Sequence, residues 1–148
     1  MSKFKFSDGS KKCIMVCGAT TYDDPFSWQD EISEEYPDYD WVNPYQIGDD
    51  VDDPYENPAE IMEPVVSKIT EDVDALLVSW QDDAFLVGAT VYMREAHRKG
   101  IPIVIWYQGS REKMQIPISW MMDSYHADRS TAIRVLLAKL GDTNVLTD

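Results

Sequence analysis

The sequence predicts a single α/β domain: a Rossmann- or flavodoxin-like parallel sheet of about five strands with helices on both faces. Three observations predict it. Short, wholly apolar runs have the length of buried strands, helix start and stop signals stand between them, and the two kinds of segment alternate along the chain. At 148 residues the chain fits one domain, residues 1–148, with residues 1–11 as an N-terminal extension. A hydrophobic fraction of 44% argues against disorder.

The elements follow in order. Residues 12–17 (KCIMVC) form an apolar run closed by Gly18, a buried parallel strand. Asp24-Pro25 offers an N-cap followed by proline at the first helical position, and a helix through Trp28, Ile32 and Glu35 ends before Pro37. Residues 39–42 make a short second strand, closed by Asn43-Pro44. The acidic stretch 45–56, with Gly48 and Pro54, reads as a long loop, a length that often accompanies function. Asn57-Pro58-Ala59-Glu60 repeats the start signal with a capping box, and Ile61, Val65 and Ile69 lie on one stripe of the helix that follows. Residues 73–80 (VDALLVSW) give the clearest strand. Ala89, Tyr92, Met93 and Ala96 have helical spacing, and His97-Arg98-Lys99-Gly100 supplies a basic last turn and a terminal glycine. Residues 101–106 (IPIVIW) form a fourth strand. A loop through Gly109 and Lys113, a short strand over 124–127 and a helix over 130–140 complete the chain.

Composition excludes several classes. No apolar stretch approaches the ~20 residues that span a bilayer, and the first residues carry Lys3 and Lys5 with no apolar segment behind them. The expectation is a cytoplasmic protein that neither crosses nor enters a membrane. Cys13 and Cys17 on one strand would stand about 13 Å apart, too far for a disulfide, and they lack companion zinc ligands. No metal and no cofactor is expected.

The net charge of −14 is uneven: no Lys or Arg occurs between Lys12 and Lys68. Such a surface repels phosphate backbones and disfavours nucleic acid as a partner. Solubilisation, salt adaptation (against which the eight lysines weigh) and mimicry of DNA by an acidic face are its three readings.

In parallel α/β sheets ligands bind outside the carboxyl ends of the strands. That rule selects Gly18, Ala19, Thr20 and Thr21, then Asn43, Pro44 and Tyr45, then Trp80, Gln81, Asp82 and Asp83 leading into Gly88. Trp80, Tyr45 and Trp106 have the rings to stack on a base, although core packing accounts for each as well. Asp82 and Asp83 suit a ribose hydroxyl or a helix cap. Gly88 at a helix start leaves backbone N–H groups for a phosphate. His97 suits its helix dipole, and His126 has no Cys or His companion.

Residues 57–106 resemble the core of the nucleoside 2-deoxyribosyltransferase-like family. Asp74-Ala75-Leu76-Leu77-Val78 matches the strand that begins with Asp, and Gly88 opens the next helix. Ala96-His97-Arg98-Lys99-Gly100-Ile101-Pro102, followed by Ile103-Val104-Ile105, matches the turn into the last strand. The resemblance implies a nucleoside or nucleotide as ligand and a homo-oligomer, with Trp120, Met121 and Met122 either at a subunit contact or covering the domain's own sheet edge.

The departures are as informative. The family's catalytic Glu falls at Tyr92, and two acids of its pocket fall at Leu86 and Val66. Glycosyl transfer through an oxocarbenium-like transition state wants a carboxylate under the sugar and an acid near the leaving base. Leu86 and Val66 supply neither. Tyr92, with an ordinary pKa of ~10, needs a base such as Asp82, Asp83 or Glu95 to act as nucleophile. Its other reading is an aromatic on the buried stripe of its helix.

The leading expectation is therefore a nucleoside- or nucleotide-binding protein with reduced or lost catalysis, one form of which sequesters a small nucleotide. The alternatives are an active N-glycosidase or deoxyribosyltransferase using Tyr92 with Asp83 and Glu95, and an acidic protein-interaction or DNA-mimic protein.

Overall fold

The computed structural model describes residues 9–18, 27–44, 56, 58–80 and 87–142. Five strands form one all-parallel sheet in the order β2-β1-β3-β4-β5: β1 Cys13–Gly18, β2 Asp40–Val42, β3 Ala75–Trp80, β4 Ile103–Tyr107 and β5 Ser124–His126. The helices are α1 Ser27–Glu35, α2 Pro58–Glu71, α3 Val87–Lys99, α4 Ile116–Met121 and α5 Arg129–Lys139, with a 3₁₀ turn at Arg111–Lys113. The Asp24-Pro25 and Asn57 caps and most of the 45–56 loop lie outside the described residues.

The strands are apolar on both faces because both faces are covered. Cys13, Met15 and Cys17 of β1 pack with Val65 and Ile69 of α2, with Ala89, Tyr92, Met93 and Ala96 of α3, and with Ile118 and Met121 of α4. Ile14 and Val16, pointing the other way, meet Ile32 of α1 and Ile133, Leu136 and Leu137 of α5. The sequence period thus translates into two cores with β1 and β3 between them.

Aspartates fix the amino ends of the strands. Asp74, just before β3, accepts the Cys13 N–H on Oδ2 at 2.8 Å while its own N–H donates to the Cys13 carbonyl. Asp123, just before β5, does the same for Ile103 of β4, at 2.6 and 2.8 Å. Lys99 reaches further than its own helix dipole: its Nζ donates to the carbonyls of Ile69 and Val73, so α3 caps the end of α2.

Two elements depart from the sequence expectation. The chain between Lys113 and Ser124 is not all loop, since Pro117 starts the six-residue helix α4. Strand β4 ends at Tyr107 rather than Trp106, so the two aromatics face opposite sides of the sheet.

At the other end of β1, Gly18 has φ +116° and passes so close to β3 that a Cβ would overlap the Ser79 carbonyl oxygen. Gly18→Ala is expected to cost about 3 kcal/mol or more, read from the urea midpoint. Gly141→Ala, at φ +94° with open space around it, carries the dihedral cost alone and should lose clearly less. Equal losses would show that the approach to Ser79 contributes nothing.

Burial also sets the thiols. Cys13 is pushed up to about 12, by desolvation first and then by Asp40, Asp74 and Asp72, and Cys17 is raised by burial alone. Both are free. A thiol raised in the folded state keeps its proton where the unfolded chain loses it, so its contribution to stability is complete below pH ~9 and declines above it. Unfolding midpoints should fall as pH rises past 9, and Cys13→Ala/Cys17→Ala should flatten that slope. An unchanged slope would remove the thiols from the account.

Candidate functional site at the carboxyl edge of the sheet

The chain leaves β1 across the α1 face to reach β2, and leaves β3 across the opposite α3 face to reach β4. β1 and β3 are therefore the switch point of the sheet, where folds of this kind place a ligand crevice at the carboxyl edge. Gly18 stands at that edge, with room for nothing larger than hydrogen against Ser79; residues 19–26 and 81–86, which follow the two strands, lie outside the described residues.

The amino end of α3 opens at this edge. Gly88 is exposed there, and the Tyr92 hydroxyl points back along the helix to within 4.0 Å of where a Gly88 Cβ would stand. Tyr92 is 8% exposed and belongs to the buried stripe with Ala89, Met93 and Ala96; its hydroxyl also lies 3.9 Å from Met62 Sδ of α2. A helix start with an exposed glycine and a phenol one turn below is a place for a polar or anionic group to meet backbone N–H donors.

Trp80 ends β3 as part of an aromatic column. Its ring stacks on Tyr107 at 4.6 Å and 25°, and Tyr107 meets Tyr125 edge-on at 5.9 Å. The Tyr107 hydroxyl is pinned to the Ser110 carbonyl at 2.8 Å. Trp80 is therefore a buried wall of the core beside the crevice. Trp106, expected on the same side, instead faces α5, and its Nε1 donates to Ala127 O at 3.1 Å.

Asn43, directly after β2, is wholly buried. Near it lies a residue that the sequence reading passed over. Gln29, in the first turn of α1 and 7% exposed, donates from Nε2 to the Trp41 carbonyl at 2.8 Å. That acceptor fixes the orientation of the amide and leaves Oε1 buried without a hydrogen-bond partner among the described residues. No periodicity or motif marks it, since an acidic amphipathic helix accommodates a glutamine anywhere.

The remaining candidates are dispersed or undescribed. Glu95 pairs with Arg98 at 3.6 Å and lines a groove between α3 and α4, away from the Tyr92 hydroxyl. His97 lies 4.6 Å from the Trp120 ring, and His126 shares a 2.9 Å contact with Ser124 Oγ at the sheet edge. Ala19, Thr20, Tyr45, Asp82 and Asp83 lie outside the described residues. Among the described residues there is no group of three His, Cys, Asp or Glu side chains placed to hold a metal ion, and no helix long and apolar enough to cross a membrane.

Gly18, Asn43 and Trp80 thus stand at the carboxyl ends of neighbouring strands, and Gly88 and Tyr92 in the first turns of the helix that follows β3. Compared with known proteins, the chain matches no family model and no curated protein.

Proposed function

We propose that this protein binds a nucleoside or nucleotide at the carboxyl edge of its sheet and has reduced or lost the glycosyl-transfer chemistry of the family it resembles. The observation that carries the reading is topological. β1 and β3 lie side by side while their connections go to opposite faces, and Gly18 and Trp80 end these two strands at the edge where an α/β sheet takes its ligands. The unpartnered Gln29 Oε1 supports it, as a buried acceptor that a ligand N–H would satisfy.

The chemistry follows from Tyr92. A carboxylate at that place would lie under the sugar and take the anomeric carbon. A phenol in the buried stripe, its hydroxyl directed at Met62 Sδ, holds no negative charge to balance an oxocarbenium ion. Asp82 and Asp83 remain, on this reading, ligand-binding residues.

A second reading has one observation in its favour: the Tyr92 hydroxyl lies beside the amino end of α3, where a phenolate would be stabilised by the helix. On that reading the protein is an N-glycosidase or deoxyribosyltransferase with Tyr92 as nucleophile and Asp83 or Glu95 as its base. Residence in the cytoplasm and assembly with further copies of the chain belong to the proposal as well, both drawn from the sequence.

One incubation separates these readings. The purified protein is mixed with deoxynucleosides, ribonucleosides, their monophosphates and NAD, then assayed for free base and for ligand retained through gel filtration. Retention without base release is expected. Base release proportional to protein and abolished by Tyr92→Phe would establish the second reading. Neither retention nor release would overturn both, and would turn attention to the acidic surface as a protein-interaction or DNA-mimic face.

Gly88→Ala tests the seat itself. The added methyl makes only ordinary contact with the Tyr92 hydroxyl, so stability should hold or rise by about 0.5–1 kcal/mol. Affinity for the retained ligand should drop about tenfold as backbone approach is blocked. Unchanged affinity would place the ligand elsewhere.

A further inference from the structure

Helix α3 packs on the sheet through Ala89, Tyr92, Met93 and Ala96, which leaves Val91, Arg94 and Arg98 on its exposed side. Between that helix and α4 runs an open groove of about 580 Å³. Val91, Arg94 and Glu95 line it from α3, and Pro117, Trp120 and Met121 from α4, so most of the surface it presents is apolar. Ile116, next to Pro117 and one turn from Trp120, is 84% exposed. Single exposed apolar residues need no explanation, but an apolar groove with two large ones at its side does.

The Trp120 ring is 61% exposed and yet held in place. The Arg94 guanidinium lies 5.5 Å from its centre and the His97 ring 4.6 Å, both from α3. An exposed tryptophan already fixed by its neighbours is a rigid anchor, which loses little freedom when a partner meets it.

Charge decides the kind of partner. Glu95 is engaged by Arg98 at 3.6 Å, whereas Arg94 makes no ion pair among the described residues, so the groove holds one unbalanced cation. Residues 87–122 carry five Lys or Arg against two Glu, a net of +3 in a chain of −14. Screening at physiological ionic strength limits the reach of a charge to about 8 Å, so a group seated in the groove is governed by its neighbours on α3 and α4. Shape decides its size. An open groove leaves one side of a small molecule in water, while a chain lying along it also covers Ile116.

We propose that the α3–α4 groove docks an acidic peptide segment of another protein. A large apolar side chain of that segment sits between Val91, Pro117 and Trp120, and an adjoining Asp or Glu pairs with Arg94. This inference rests on the α3–α4 face alone and stands whether or not a nucleoside binds.

The test is selection from a displayed library of random peptides against the full chain, followed by fluorescence anisotropy with the enriched peptide. Enriched sequences are expected to share an aromatic residue or leucine beside Asp or Glu. Trp120→Ala and, separately, Arg94→Glu should each weaken binding of that peptide about tenfold. Both side chains are exposed, and far-UV circular dichroism would confirm that each variant remains folded. Exchanging the peptide's acids for lysine should weaken its binding to the wild-type chain and restore part of its binding to Arg94→Glu. No enrichment, enriched peptides without acids, or binding indifferent to either variant would overturn the proposal. So would phosphatidylcholine–phosphatidylserine vesicles that retain the wild-type chain and release Trp120→Ala, since the face would then be a membrane anchor.

Discussion

The pairing of β1 with β3 is the constraint on which the rest depends. These two strands form the middle of the sheet, carry residues of both cores and mark the switch point at their carboxyl ends. The pair is held at both ends by different means. At the amino end the Asp74 carboxylate and backbone exchange hydrogen bonds with Cys13. At the carboxyl end Gly18 comes against Ser79 at a distance no other residue tolerates. A charge-assisted hydrogen bond sets the register and a steric contact completes it, and register in a sheet buried on both faces fixes which side chains enter which core. The same contact lies at the edge where the candidate site is proposed.

The fold was legible because burial on both faces writes strands as uninterrupted apolar runs. IMV in β1, ALLV in β3 and IVI in β4 admit few other readings, and alternate residues of each divide between the two cores as a period of two requires. Helix α4 escaped for the opposite reason. Six residues make fewer than two turns, too few for a period of 3.6 to show, and exposed Ile116 and Trp120 sit where an amphipathic pattern would demand polar residues. The end of β4 escaped because Trp106 and Tyr107 are both aromatic; only the register against β3 and β5 tells which of them faces the core of α3.

The site was legible in place more than in chemistry. A parallel sheet announces where its ligands go, so Gly18, Asn43, Trp80 and Gly88 could be selected from the ends of predicted strands and the start of a helix. What each does there depends on directions that a sequence does not encode. Trp80 stacks within the core against Tyr107, Glu95 turns outward to Arg98, and Lys99 leaves its own helix to cap α2. Gln29 is the sharpest case. Its Nε2 is tied to the Trp41 carbonyl, and only that bond shows that its Oε1 is a buried acceptor left over.

Charge bears on which ligand the candidate site would take. None of the residues assigned to the crevice is a cation, and two of them, Asp82 and Asp83, are acids. A phosphate bound at the start of α3 would meet backbone N–H donors, with no Lys or Arg among the assigned residues and within the field of a chain carrying −14. The amino end of a helix offers roughly half a positive charge, enough to seat one partly solvated anion and too little to offset several phosphates against that field. On the proposed function the crevice therefore favours the uncharged nucleoside over its phosphorylated forms, and the preference should be largest at low ionic strength, where the field is least screened.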